Sequence, residues 1–142
     1  MKPPGQDGGM SQKTNVPRLV LSDPSTGTAK TIQLTPQQFA VFRGKKVGDV
    51  IEGGPLGLGD FKVKITGGSD LAGFPMRPDV SGTRLAQVLL TKGIGFKARR
   101  KPPSKAKKQR NRRTVKGLRK RVSVRGNTIS DAIVQINAVI VR

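Results

Sequence analysis

The chain has 142 residues, with 28 Lys/Arg against 8 Asp/Glu and neither histidine nor cysteine. A net charge of +20 and an apolar share of 34% describe one domain with a modest core and a surplus of cations. The missing Cys and His exclude disulfides, the usual zinc, haem and iron–sulfur ligand sets, and every catalytic triad or dyad built on either residue.

Residues 1–16 are polar and rich in Gly, Pro and Gln, and read as a flexible extension without the apolar stretch of a signal peptide. Met10 is the expected native start. No apolar run exceeds four residues, far short of a membrane-spanning helix. Arg18–Ser22 reads as a strand, Asp23-Pro24-Ser25-Thr26-Gly27 as a turn, and Thr28–Leu34 as the returning strand with Ile32 and Leu34 inward. Thr35-Pro36-Gln37-Gln38 starts a short helix, because Thr can cap, Pro suits the first helical position and Gln can complete a capping box. Phe39 and Phe42 share a core-facing side, and Gly44 ends the helix.

Val47–Glu52 is a further expected strand. Gly53–Gly59 is a glycine-rich turn whose spacing fits neither a dinucleotide fingerprint nor a P-loop. Phe61–Ile65 alternates apolar residues with lysine, the pattern of a strand with one dry face and one basic face. The next stretch, Gly67-Gly68-Ser69-Asp70-Leu71-Ala72-Gly73-Phe74-Pro75-Met76-Arg77-Pro78, reads as a stiff apolar loop. Gly67 and Gly68 are expected to end the strand and supply positive φ. Phe74 and Arg77 precede prolines and are held extended. Phe74 and Met76 are expected to lid the core, and Arg77 to reach a phosphate.

Arg84–Thr91 reads as a strand with apolar residues on both faces, broken by Gly93 and Gly95. From Lys97 to Arg125 the chain carries 15 basic residues and no acid. Such a run repels itself and gains order against a polyanion. Ala132–Val141 reads as the last strand, with Val134, Ile136, Ala138 and Ile140 on one face and Gln135 and Asn137 on the other. Short strands, glycine turns and one short helix predict a mainly β protein. The expected form is a small antiparallel β-barrel over residues 17–96, sealed by a C-terminal strand within residues 126–142. A long basic extension, residues 97–125, would lie between the last two strands.

The run Ile65–Met76 resembles the signature of the S-six-e small-subunit ribosomal proteins of archaea and eukaryotes. Gly67, Gly68, Asp70, Gly73, Pro75 and Met76 meet its fixed positions, with Phe74 between them. Phe42–Gly48, Val88–Gly93 and Arg119–Ile129 are similar to neighbouring stretches of the family, and the likeness covers residues 17–142. The resemblance implies a structural, non-catalytic component of the small ribosomal subunit in the cytoplasm. It implies ribosomal RNA and neighbouring ribosomal proteins as partners, with no cofactor, small-molecule substrate, membrane or homo-oligomer. Eukaryotic members continue into a long basic helix, whereas this sequence stops at Arg142, which gives it an archaeal form.

The expected mechanism is charge neutralisation combined with shape. The candidate RNA contacts are Arg99, Arg100, Lys101, Lys105, Lys107, Lys108, Arg110, Arg112, Arg113, Lys116, Arg119, Lys120, Arg121 and Arg125. Lys45, Lys46 and Arg77 form a second tier. Aromatic residues make up 4% of the chain, without Trp or Tyr, so recognition by stacked aromatic platforms is disfavoured against backbone and shape recognition. A DNA-binding architectural protein would share the charge, but the sequence lacks helix-turn-helix spacing and zinc-finger ligands. An enzyme would have to use acids such as Asp70 and Asp79. Pro75-Met76-Arg77-Pro78 also matches a short PxxP ligand.

Overall fold

The computed structural model describes residues 16–100 and 113–142. The N-terminal extension through Asn15, the expected start at Met10, and Lys101, Lys105, Lys107, Lys108, Arg110 and Arg112 lie outside those residues. The chain order is β1 (Arg18–Asp23), β2 (Thr28–Gln33), α1 (Pro36–Phe42), β3 (Val50–Glu52), a 3-10 turn (Gly54–Leu56), β4 (Lys62–Asp70), β5 (Leu85–Leu90), β6 (Arg99–Arg100), β7 (Arg113–Thr114), β8 (Lys120–Arg125) and β9 (Ile133–Val141). The protein is mainly β, with one short helix.

Local signals set the first elements. Asp23 accepts from the Ser25 backbone N–H and hydroxyl, and Gly27 takes φ 68° at the turn exit. The Thr35 hydroxyl accepts from Gln38 N–H while the Gln38 side chain accepts from Thr35 N–H, a complete capping box. Gly44 follows the helix at φ 81°, the left-handed conformation that glycine adopts freely.

One sheet has the order β2-β1-β9-β4-β3, and β5 pairs with β8 in a separate two-stranded ribbon. The expected antiparallel barrel is therefore replaced by an open sheet with a ribbon beside it. The last strand does not seal an edge. It runs through the centre, parallel to β1 and antiparallel to β4. The physical reason is its two-sided content: Ile133, Ile136 and Ala138 are buried and the residues between them are half-buried, as suits a strand covered along both edges. The inner face ranks Ile51, Val63 and Ile140 in one cross-strand row and Ile65, Ala138 and Leu21 in the next. Phe39, Phe42, Leu34, Leu56, Ile129 and Met76 close over it.

Two expected boundaries shift, and one expected inward residue changes. Val47–Asp49 is a turn, with Gly48 at φ 98°, so β3 keeps only three residues. Strand β4 does not end at Gly67 but continues through Gly67-Gly68-Ser69 to Asp70, paired with β9, and neither glycine has positive φ. In β9 the pairing passes from Ser69–Gln135 to Asp70–Ile133, which leaves Val134 as the extra residue of a bulge. The bulge turns Ile133 inward in place of Val134.

Candidate nucleic-acid interface

The family-like stretch forms a scaffold. A Cβ at Gly68 would stand 2.5 Å from the Gln135 carbonyl oxygen and 3.0 Å from the Met76 sulfur. Glycine is therefore required here for close approach, and Met76, buried in the core, occupies the place a side chain would take. Past β4 the chain folds back. Asp70 accepts from Phe74 N–H through Oδ1 at 2.8 Å, and Met76 N–H donates to Gly68 O.

The returning segment is also a docking edge for β8. Arg125 N–H donates to Pro75 O and Arg77 N–H donates to Arg125 O, forming a parallel bridge at Met76. Arg125 Nε donates to Asp70 Oδ2 at 2.8 Å, with the Asp70 side chain 2% exposed. Breaking a buried pair of this kind by removing one partner costs about 3–5 kcal/mol. Gly126 then passes so close to Gly82 that a Cβ would meet its carbonyl oxygen. These contacts fix the path of β8, and β5 pairs along its other edge from Leu85–Arg125 to Leu90–Lys120.

The expected RNA contacts fall into separate groups. Arg99, Lys116, Arg119, Lys120 and Arg121 are exposed, as is Lys97, which is not among the expected contacts, and all six lie around the start of β8 and the base of the basic segment. At that base Arg99 pairs with Thr114 and Arg100 with Arg113 through their backbones, and Val115 N–H donates to Ala98 O. The two described ends of this stretch thus meet at one point. Lys45 and Lys46 are also exposed but sit beside the other end of β8, where Val47 N–H donates to Asn127 O and Ile129 N–H to Lys45 O. A six-residue strand puts the two groups about 17 Å apart along β8.

Two expected contacts are occupied by the protein itself. Arg125 holds Asp70. Arg77 donates to both Asp79 oxygens at 2.8 Å and to the Ile94 carbonyl, and Asp79 raises the Arg77 guanidinium pKa in turn. Strand β8 is also ordered by β5, where the sequence reading expects order only along RNA. Ala98 could not have been singled out from sequence: it is 1% exposed and takes φ 51° without being glycine, backbone strain that sits at the root of the excursion.

The acids do not assemble a reactive or metal-binding centre among the described residues. Asp70 and Asp79 are each engaged by a different arginine. The four ion pairs among the described residues join Arg43 to Asp131, Arg77 to Asp79, Arg125 to Asp70 and Arg142 to Asp23. None involves the six exposed cations at the start of β8, which keep their charge open to an external anion.

Comparison with known proteins places the sequence among relatives over most of its length. Residues 17–142 match the model of the family described as ribosomal protein S6e. The chain is 43% identical over 126 residues to the small ribosomal subunit protein eS6 of Archaeoglobus fulgidus, covering 88% of this chain and 86% of that protein. It is 41% identical over 124 residues to the eS6 protein of Methanocaldococcus jannaschii, covering 87% and 81%. It is 40% identical over 124 residues to that of Halorubrum lacusprofundi, again covering 87% and 81%. These relatives are ribosomal proteins and not enzymes, and the chain belongs to the ribosomal protein S6e family.

Proposed function

We propose that this protein is a structural component of the small ribosomal subunit in the cytoplasm and supports translation by binding ribosomal RNA through its basic segment. The observation that carries the reading is the open charge at the start of β8: Lys97, Arg99, Lys116, Arg119, Lys120 and Arg121 are exposed and belong to none of the four ion pairs among the described residues. Each cation set against a phosphate releases condensed counterions, and arginine adds a planar fork that grips phosphate in two places. Residues 99–114 carry further cations, Lys101, Lys105, Lys107, Lys108, Arg110 and Arg112 among them, each able to add a phosphate contact to the same anion. Neighbouring ribosomal proteins are the expected protein partners.

Binding of the full chain to deproteinised small-subunit ribosomal RNA, measured over a series of KCl concentrations, tests the reading. Affinity should fall linearly on a log–log scale with a slope steeper than about −4, since each phosphate contact contributes about −0.7 to −0.9. Replacing Lys120 and Arg121 with alanine should flatten it by about 1.5. Preference for duplex DNA of equal length in competition would instead favour an architectural DNA-binding protein.

A further inference from the structure

The turn Lys92-Gly93-Ile94-Gly95-Phe96-Lys97 follows β5 and presents an apolar residue at its tip. Ile94 is 52% exposed, and Lys92 and Lys97, on either side, are exposed as well. A single exposed aliphatic residue ordinarily means nothing. Here it is held from three directions. Gly93 and Phe96 exchange both backbone hydrogen bonds at 2.9 and 3.2 Å, which closes the turn. Arg77, itself held by both Asp79 oxygens, donates to the Ile94 carbonyl. Gly95, at φ 93°, lies so close to the ribbon that a Cβ would stand 3.0 Å from Val124 and 3.5 Å from Leu90. The backbone is pinned inward while the side chain is left outside.

We propose that Ile94 is a nucleobase contact, a fixed apolar tip that packs against one unpaired base of the RNA. The inference rests on the ribosomal RNA reading above. The surroundings point to that occupant. Lys120 stands opposite Leu90 in the ribbon, at the same end as the turn, so Ile94 lies within the exposed cationic group at the start of β8. Lys92 and Lys97 flank the closed turn and suit two phosphates of one strand, which leaves the base between them facing a side chain that offers no hydrogen bond. Unstacked bases in loops and bulges expose an apolar face, and aliphatic side chains serve as wedges against such faces in other nucleic-acid complexes. Recognition by contact with a base face tolerates any base identity, since every base has such a face.

The test compares full-length wild type, Ile94→Ala, Ile94→Phe and the double variant Lys92→Ala/Lys97→Ala on deproteinised small-subunit ribosomal RNA across a KCl series. Ile94→Ala should bind about fivefold more weakly at every salt concentration, with an unchanged log–log slope, because an apolar contact releases no counterions. Ile94→Phe should bind at least as tightly as wild type, and the lysine variant should flatten the slope by about 1.5. All four should unfold at the same temperature within a few degrees, since the altered side chains are exposed. Equal affinity of Ile94→Ala and wild type, or a loss confined to low salt, overturns the nucleobase contact and leaves the RNA reading standing. Failure of wild type itself to bind removes both.

Discussion

Arg125 and Asp70 meet across 55 residues of sequence through one 2.8 Å charge-assisted hydrogen bond, with the carboxylate buried. The bond joins the end of β8, the strand that closes the basic segment, to the end of the strand that opens the family signature. Asp70 Oδ1 meanwhile closes the fold-back onto Phe74. One carboxylate therefore shapes the signature turn and anchors β8 against it. The signature residues are the support on which the exposed cations stand.

Removing that carboxylate should be costly. Asp70→Ala leaves the Arg125 guanidinium partly buried without its counter-charge and Phe74 N–H without its acceptor. Equilibrium urea unfolding should register a loss of about 3–5 kcal/mol. A loss below about 1 kcal/mol would mean that the pair is not an anchor.

The two signature glycines should respond in opposite ways to the same change. Gly68→Ala forces a methyl group against the Gln135 carbonyl and the Met76 sulfur, and should destabilise by about 2–3 kcal/mol through overpacking. Gly67→Ala meets no atom within 4 Å and requires no positive φ, so its thermal midpoint should stay close to wild type or rise slightly. Equal losses at the two positions would contradict the close-approach account.

What the sequence makes legible is what is decided locally. The turn at Asp23–Gly27, the Thr35–Gln38 capping box and the inward pair Phe39 and Phe42 each depend on residues within a few positions of one another, and each is present. The central place of β9 and its parallel pairing with β1 depend on contacts across more than a hundred residues, which periodicity does not encode. The bulge at Val134 changes the inward residue without altering the apolar pattern that suggests a strand. Gly67 and Gly68 look like a strand stop because glycine more often marks positive φ, yet here a sulfur atom from eight residues later decides. Arg125 is chemically the same as its neighbours in the basic run, and only the position of Asp70 sets it apart from the cations that face outward. The six exposed cations are legible as a class from the missing acids, but their grouping around the root of the excursion is not.

The Arg77–Asp79 pair gives a dependence on pH. The hydrogen bond from Arg77 lowers the Asp79 carboxyl pKa below its ordinary value. A lowered folded-state pKa means that the contribution is present above the unfolded carboxyl value and disappears as pH falls through the folded one. The brace on the 92–97 turn should therefore hold at neutral pH and release only in acid. Amide exchange at Phe96, compared with wild type, should quicken in Asp79→Asn at pH 7. Lowering the pH of the wild type below the ordinary carboxylate range should shift the Ile94 amide resonance toward its position in that variant. No shift of Ile94 down to the acid limit of folding would show that Asp79 does not hold the turn.

The last prediction concerns the excursion as a whole. Ala98 and Val115 are joined by a backbone hydrogen bond of 2.9 Å, so the 16 residues between them, 99–114, begin and end at nearly one place. A short glycine linker can span such a gap with little strain, and shortening a loop lowers its closure entropy cost by only about 1 kcal/mol. The five-stranded sheet and the β5–β8 ribbon make their pairings outside the replaced stretch, so the shortened protein should unfold cooperatively with a midpoint near that of the full chain. Its affinity for deproteinised small-subunit ribosomal RNA should fall by at least a hundredfold at physiological salt, because the removed stretch carries Arg99, Arg100, Lys101, Lys105, Lys107, Lys108, Arg110, Arg112 and Arg113 and each lost phosphate contact weakens binding separately. Residual binding should come from Lys97, Lys116, Arg119, Lys120 and Arg121, and should weaken further when Lys120 and Arg121 are also replaced by alanine. Unchanged affinity in the shortened protein would assign RNA binding to the folded domain alone. Collapse of the fold would show instead that the excursion is part of the core's support, against the separation of the pairings on either side of it.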